Sequence, residues 1–493
     1  MSQILSPDCE SELLTFAQSE YGIILKGSQR KRLNDAFQIS RKKFGHETSE
    51  DYTNSLFAAK PDDAERTDFV SCITVEESYF FRDADQIEFI RKTWLPRMLE
   101  KKRRASDKHI RIWCAGCSFG QEPYTVAILL KEELPEFRDW TIHLLASDIN
   151  VDALQQAIKG QYTSWSFRTT SDKMKSKYFK SVGGYSKISP EITRMVEFEY
   201  LNLLSPNFPS IMNGTSHLDL ILCRNVFIYF DADTSSQIMQ RFSQCLSPGG
   251  HLIVGASDLA ETSQESMEFI FENSINYFRK PTEEFIPPKA ARTPKYRRPS
   301  QGRRAEDNRR PTRPFKKISR KRVTKPKIKA EVKSVEDLAT LAKSGAWAEV
   351  RNEVGAAIRQ EGETPENLCL LAEALANLGK TEEAITASEE SLLLDPMNDR
   401  AVFINGLILM ELGDTQQAEK QFKRALYLNR QFMDAHYQLG LLQLRNGKRT
   451  AAVKSLKNAL DIVSTESSQH ASETLADVLR GEIEMLSGIN KIG

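Results

Sequence analysis

Four acceptor side chains, Glu122, Asp148, Asn202 and Asn225, fall at or just past the ends of apolar runs that read as β-strands. Carboxylates and amides so placed take hydrogen bonds from hydroxyl and ammonium groups. Asp148, ending the second run, suits ribose hydroxyls. Glu122 lies in the stretch Arg111 to Val126, RIWCAGCSFGQEPYTV, two residues past Gly120. Its charge argues against a bound phosphate and for a ligand carrying an ammonium or hydroxyls. Gly116 and Gly120 let backbone approach a ligand, and Pro123 fits the first turn of a helix. Strand, glycine turn and helix start make a nucleotide-type cofactor loop. The G-x-G-x-x-G spacing of a dinucleotide fingerprint is absent. A turn-forming role would explain each polar residue alone, but four at successive strand ends favour a site. Arg82, directly after Phe80-Phe81, either snorkels to water or points into that site. Cys114 and Cys117 read as a redox or zinc pair, or as small residues lining the turn. No second Cys/His pair lies nearby, so no metal site is expected.

The elements that position these residues alternate. Strand-like runs at 109–114, 141–148, 195–203, 218–225 and 250–257 are separated by helical segments such as 122–134, 151–158 and 233–246. That alternation predicts a parallel sheet with helices on both faces and a ligand beyond the carboxyl ends of the strands. An insertion over about 160–195 holds Gly183-Gly184, a hairpin turn signal. Residues 1–75 read as short helices, beginning with Ser6-Pro7 as N-cap and first-turn proline. A helix from near Ser28 carries Arg30, Lys31, Arg32, Arg41, Lys42 and Lys43, either a solvated face or a dock for an acidic partner.

At 493 residues the chain needs two to four domains. Its composition, 40% hydrophobic and 27% charged, is that of a globular protein. No apolar run reaches the roughly 18 residues that span a bilayer. The start lacks signal-peptide features, and the seven cysteines form no disulfide framework. Together these predict a cytoplasmic location. Residues 289–329 carry 18 Lys or Arg against Glu306 and Asp307, in a chain of net charge +1, so the remainder is acidic. The stretch 281–330 predicts a basic disordered linker, either a tether or an attachment to nucleic acid or an anionic membrane. Beyond 331, Gly379, Gly413 and Gly447 recur at 34 residues, as do Ala384, Ala418 and Ala452. A 34-residue helix-turn-helix period is the tetratricopeptide signature. Such arrays bind protein segments on a concave surface. Residues 470–486 should cap the last repeat. With a disordered linker, the repeats are expected to separate from the rest on limited proteolysis.

The runs VEESYFFR, CAGCSFGQEPYTVA, ASDIN, LNLL, CRNVFIYF and LSPGG resemble the chemotaxis receptor glutamate methyltransferases of the CheR type, over about residues 10–280. The fused repeats resemble the subgroup with a C-terminal tetratricopeptide array. The resemblance implies a class I α/β S-adenosylmethionine-dependent methyltransferase with a doubly wound sheet at 76–280. It also implies a helical receptor-docking domain at 1–75, with a tetratricopeptide solenoid at 331–493. It implies methyl transfer to glutamate carboxylates of chemoreceptor cytoplasmic helices, with S-adenosylhomocysteine as co-product. Recruitment to receptor arrays at the inner membrane follows, with an unidentified protein partner for the repeats. Carried onto this chain, the resemblance has Ser78 and Arg82 touch the cofactor, and Glu122 contact its methionine amino end. Asp148 holds the ribose, Asn202 and Leu203 flank the adenine, and Arg224 and Asn225 line the same pocket with Gly116. Tyr229 acts with Arg82 on the substrate. Glu76 departs from the Asn of many members. The hairpin near Gly183 is shorter than in members that grip a receptor tail, which implies a tail-independent enzyme.

A glutamate side chain, with pKa about 4.3, is already a nucleophilic carboxylate near neutral pH, so no general base is required. Alignment and exclusion of water must carry the rate. Two rivals remain at this stage. One is a cofactor-sensing adaptor without turnover. The other is methylation of nucleic acid, which is opposed by RNVFIY standing where an Asn-Pro-Pro-aromatic loop would be required.

Overall fold

Ser6 accepts a hydrogen bond from the Cys9 N–H at 3.3 Å, and Pro7 occupies the first turn, so α1 (Pro7–Tyr21) starts where local chemistry dictates. It is followed by α2 (Lys31–Phe44), α3 (Ser49–Ala58) and α4 (Ala64–Ile73). Leu13, Ala17, Leu33, Phe37, Tyr52, Leu56 and Phe69 bury one apolar face from each into a common cluster. The computed structural model describes residues 5–59, 63–134, 137–261, 266–282, 335–343 and 345–465, together with Ile483.

A helical connection, α5 (Ala84–Phe89) and α6 (Leu95–Arg104), leads into the sheet domain. There β1 (His109–Ala115), α7 (Gln121–Glu133), β2 (Thr141–Asp148) and α8 (Val151–Lys159) form the first half. Next comes a small antiparallel sheet of β3 (Gln161–Tyr162), β4 (Phe179–Val182) and β5 (Tyr185–Ile188), with α9 (Asp172–Tyr178) inside it and α10 (Pro190–Thr193) after it. The second half is β6 (Glu197–Tyr200), β7 (Leu218–Cys223), α11 (Ala232–Cys245), β8 (Leu246–Val254), β9 (Glu268–Glu272) and β10 (Ile275–Arg279). The large sheet has the order β6-β2-β1-β7-β8-β10-β9. Its first five strands are parallel, and β10 and β9 close it antiparallel. Alternate residues of β1 serve opposite layers: Ile110, Ile112 and Cys114 pack in the cluster that holds α7, whereas Trp113 and Ala115 pack with Ile238, Met239 and Phe242 of α11. This is the doubly wound arrangement, though the third strand is shorter than its apolar run of 195–203. Beyond Tyr200 the chain turns away, because the Asn202 carboxamide accepts the Leu204 N–H at 2.9 Å.

The C-terminal part is all α: α12 (Val335–Lys343), α13 (Trp347–Glu361), α14 (Pro365–Asn377), α15 (Thr381–Leu394), α16 (Asp399–Glu411), α17 (Thr415–Leu428), α18 (Met433–Arg445) and α19 (Arg449–Thr465). The recurrent Gly379, Gly413 and Gly447 turn one helix into its partner with φ of 79°, 82° and 71°, a region open to glycine. A Cβ at Gly406 would sit 2.8 Å from the Phe422 ring, so small residues at that offset let paired helices approach. Residues 289–329 and the expected cap at 470–486 lie outside the described residues, apart from Ile483. No helix among the described residues is long and apolar enough to cross a membrane.

The expectation of a repeat array standing apart from the sheet domain needs correction. Within the described residues the two are docked by buried polar contacts near the amino ends of the strands. Arg111 of β1 pairs with Glu411 at 3.0 Å, and Arg445 Nε donates to Glu197 at 2.7 Å. Burial opposes the charge on Glu411, but Arg111 and His217 hold its carboxyl down at about 2. Desolvated pairs of this kind leave costly orphan charges when separated. Trypsin acting within residues 289–329 should therefore yield two fragments that co-elute on gel filtration. Fragments eluting separately under native conditions would contradict the docked arrangement.

Candidate active site

The glycine turn after β1 is held by the Gly116 and Cys117 N–H groups, which donate to the Ser147 carbonyl at 2.8 and 3.0 Å. Gly116 has φ 76°, and any Cβ there would collide with Val226. Gly120 caps α7 at φ 81°, with 2.8 Å between an added Cβ and that of Ala157. Cys114 and Cys117 are buried thiols in this turn, and burial pushes both well above the ordinary range. No cluster of His, Cys, Asp and Glu suited to a metal occurs among the described residues.

Asp148, at the end of β2, accepts the Ser118 N–H at 2.7 Å and the Asn150 N–H at 2.9 Å. Glu76 stands beside it, bonded to the Ser118 hydroxyl and to the Asn150 amide, the latter at 3.1 Å. Burial, and then the Glu76 charge, push Asp148 up to about 7, against the pull of the backbone N–H groups. The two carboxylates thus share a serine and an asparagine at the mouth of one strand.

Arg224, at the end of β7, is buried and forms an ion pair with Glu122 at the start of α7. The same guanidinium donates to the Arg82 carbonyl at 2.9 Å and to Gln86 Oε1 at 3.2 Å. Asn225 follows at φ 62°. Its backbone N–H is accepted by Asp258, a fully buried carboxylate that also takes the Gly255 N–H at 2.9 Å and the Ile228 N–H at 3.2 Å. The Asn225 Oδ1 is buried without a partner among the described residues. The next turn, Phe227–Tyr229, presents Tyr229, whose carbonyl accepts the Ile24 N–H at 2.8 Å and ties in the N-terminal helices. Burial raises the Tyr229 hydroxyl, while the Arg32 and Arg82 charges lower it.

Ser78, Arg82, Gly116, Glu122, Asp148, Asn202, Leu203, Arg224, Asn225 and Tyr229 all line one cavity of about 220 Å³ at the carboxyl ends of the strands. Three of them sit differently from a simple reading of their types. The Asn202 amide is committed to protein partners, its nitrogen donating to the Glu20 carbonyl at 2.8 Å and its oxygen accepting the Leu204 N–H at 2.9 Å. The Arg224 guanidinium is engaged by protein groups through Nε and Nη1. Arg82 donates to the Glu77 carbonyl at 2.8 Å and lies 5.6 Å from the Tyr79 ring centre, with no ion pair among the described residues. Ser118, Asn150 and Asp258 escaped the sequence reading. Asp258 could have been found by the same rule as the others, since it lies four residues past the end of β8. Arg32, read there as part of a basic face, turns inward and bonds the carbonyls of Cys72 and Thr74 in the segment beside the cavity.

Comparison with known proteins gives this geometry a context. The family model described as CheR methyltransferase, SAM binding domain, matches residues 76–275, the stretch that supplies every cavity residue named above. A chemotaxis protein methyltransferase of Listeria innocua is 31% identical over 258 residues, 51% of this chain and 91% of that one. The chain belongs to the CheR methyltransferase family. Similar to it as well are chemotaxis protein methyltransferase 2 of Vibrio cholerae, 30% identical with 54% of this chain and 89% of that one covered, and the chemotaxis protein methyltransferase of Borreliella burgdorferi, 29% identical over 54% and 93%. Tetratricopeptide models match residues 365–398 and 406–447. Among solved structures, a tetratricopeptide protein of Thermus thermophilus aligns at 21% identity and TM-score 0.27, over 31% of this chain and 84% of that one.

The CheR-type chain is thus an S-adenosylmethionine-dependent methyltransferase, and its cavity fits that cofactor. Asn225 Oδ1 is an orphaned acceptor, Gly116 leaves a cradle that a side chain would fill, and Asp148 is an acceptor suited to hydroxyls. A carboxyl whose value is raised by folding favours the folded state at low pH and costs stability as pH climbs through the raised value. The melting temperature of the cofactor-free protein should therefore fall between about pH 4, the ordinary carboxyl range, and about pH 7, and level off above it. Glu76→Gln, which removes the neighbouring charge, should flatten that fall. An unchanged slope in the variant would mean that the two carboxylates do not interact.

Proposed function

We propose that this CheR-type enzyme methylates glutamate carboxylates on the cytoplasmic helices of chemoreceptors, giving neutral glutamate methyl esters. When bound, S-adenosylmethionine would supply a sulfonium methyl for transfer to the carboxylate oxygen, leaving S-adenosylhomocysteine as co-product. Asp148 would accept from the ribose hydroxyls, beside the walls of Leu203 and the Asn202 backbone. Glu122, fixed by Arg224, and Ser78 would border the methionine end, and Asn225 Oδ1 offers an acceptor there. The Gly116 turn leaves room for these contacts.

The observation that carries the reading is Arg82. Its guanidinium lines the cavity with Asp148 and Tyr229, yet it has no carboxylate partner among the described residues. A charge-assisted bond to an incoming carboxylate would complete it. Tyr229 supplies a hydroxyl that is neutral near pH 7, and burial raises its value further. These two groups orient the nucleophile, and the surrounding elements keep water out. No proton needs to move.

The proposal assigns residues 1–75 to receptor docking, 76–280 to catalysis, 281–330 to a basic linker and 331–493 to the repeats. In α2, Lys31, Lys42 and Lys43 remain exposed and suit an acidic receptor surface. Action on receptor arrays at the cytoplasmic side of the inner membrane follows from that substrate.

Receptor membranes incubated with labelled methyl donor provide the test. Arg82→Ala should leave melting nearly unchanged and depress turnover about a hundredfold, equal to about 2.7 kcal/mol of barrier. Tyr229→Phe keeps the ring and should act on turnover alone. Receptor methylation at the unmodified rate by both variants would remove these residues from the reaction. Label appearing on nucleic acid and not on receptors would remove the substrate assignment.

A further inference from the structure

The segment between β6 and β7 joins the two ends of the molecule. It leaves the cavity wall at Leu203, runs through Ser205, Pro206, Asn207, Phe208 and Pro209, and enters the repeat array before returning at His217. From 205 to 216 it contains no charged residue. Its tip is a built knuckle. The Ser210 N–H donates to Thr215 Oγ1 at 2.9 Å, the Thr215 N–H to the Ser210 carbonyl at 3.0 Å, and the Met212 N–H to Ser210 Oγ at 3.1 Å. This turn projects Ile211 and Met212. Ile211 is 2% exposed and lies in one apolar cluster with Ala372, Ala376, Phe403 and Leu439 of the repeats, with Met212 packed against it.

The repeats also read the backbone of this knuckle. Trp347 Nε1 of α13 donates to the Pro209 carbonyl at 2.8 Å. Asn377 Oδ1 of α14 accepts the Ile211 N–H at 2.8 Å, and Gln438 Nε2 of α18 donates to the Met212 carbonyl at 2.9 Å. Trp347, Asn377 and Gln438 are all buried. Side chains from three helices that satisfy main-chain groups around an aliphatic pair are the chemistry of peptide recognition, where main-chain bonds give affinity and pockets give selectivity. Alongside the knuckle lies a cavity of about 450 Å³, bordered by Trp347, Leu370 and the Glu373–Arg400 ion pair at 2.8 Å. The loop therefore fills only part of the space that this face offers.

We propose that this face of the repeats is a peptide-binding groove occupied in cis by the 205–217 loop. Its external partner is a protein segment of the same chemistry: an uncharged turn presenting an Ile-Met-like aliphatic pair. Further chain of that segment fills the adjoining cavity and carries polar groups to meet Glu373 and Arg400. Partner and loop compete for the same donors and acceptors, so the apparent affinity for the partner is reduced by the fraction of molecules in which the loop is seated.

The probe is a fluorescent peptide with the sequence of residues 205–217, added to the full-length chain and followed by anisotropy. Ile211→Ser loosens the internal occupant and should raise peptide affinity at least tenfold over the unmodified protein. Adding Asn377→Ala to that variant should remove most of the gain. Met212→Ser, a milder change at the same knuckle, should give a smaller gain in the same direction, so loss of folding in the first variant leaves the question decidable. Hydrogen exchange on the unmodified protein supplies an independent reading: amides 210–216 should be protected, and excess peptide should expose them. Failure of the peptide to bind either knuckle variant would overturn the proposal. So would equal binding with and without Asn377.

Discussion

A single buried guanidinium organises the cavity. Arg224 sits at the end of a central strand and reaches Glu122 on the helix after the glycine turn, the Arg82 carbonyl in the incoming segment, and Gln86 on the next helix. Burial makes the charge expensive, and leaving such a cation without its carboxylate costs roughly 3–5 kcal/mol. That penalty forces three segments, distant in sequence, to converge on one point. Arginine suits the task because its donors form a rigid planar fork that can reach acceptors on different segments at fixed angles. Glu122 is therefore a structural partner before it is a ligand contact. The main chain at Arg82 is fixed while its side chain lines the cavity without an ion pair among the described residues.

The sheet then has two working ends. At the carboxyl ends of its strands, Asp148, Asn225 and Tyr229 surround the cavity. Near the amino ends, Arg111, Glu197 and their partners seat the repeats. The 205–217 segment bridges the two, starting beside Leu203, seating Ile211 in the array and returning to β7. The stretch of chain that the repeats hold thus begins at the cavity wall. For a methyltransferase this matters, because positioning can supply much of the available rate.

Much of this was readable from the amino-acid sequence, for identifiable reasons. The parallel sheet followed from alternating apolar runs and helices, and the polar residues at strand ends pointed to the cavity that they line. The repeats were visible because Gly379, Gly413 and Gly447 occupy a turn that only certain backbone angles allow, so their spacing is enforced. What stayed hidden depended on contacts remote in sequence. Asn202 carries an amide that suits a ligand, yet its partner is a carbonyl 182 residues away. Arg32 looked like one charge among several on a helix face, and only tertiary packing turns it toward Thr74. The docking of the repeats rests on pairs such as Arg111 with Glu411, whose residue types are unremarkable at their positions. A charged residue in a strand can mean solvent or a partner, and the sequence alone does not distinguish them.

The central claim is that methyl donor and substrate carboxylate meet in the cavity at the strand ends. A crystal structure of the full-length chain with S-adenosylhomocysteine tests this most directly. The account predicts the ribose hydroxyls on Asp148, the adenine against Leu203, and the thioether sulfur facing Arg82 and Tyr229. The ligand bound in another cavity, or bound here with its ribose away from Asp148, would contradict it.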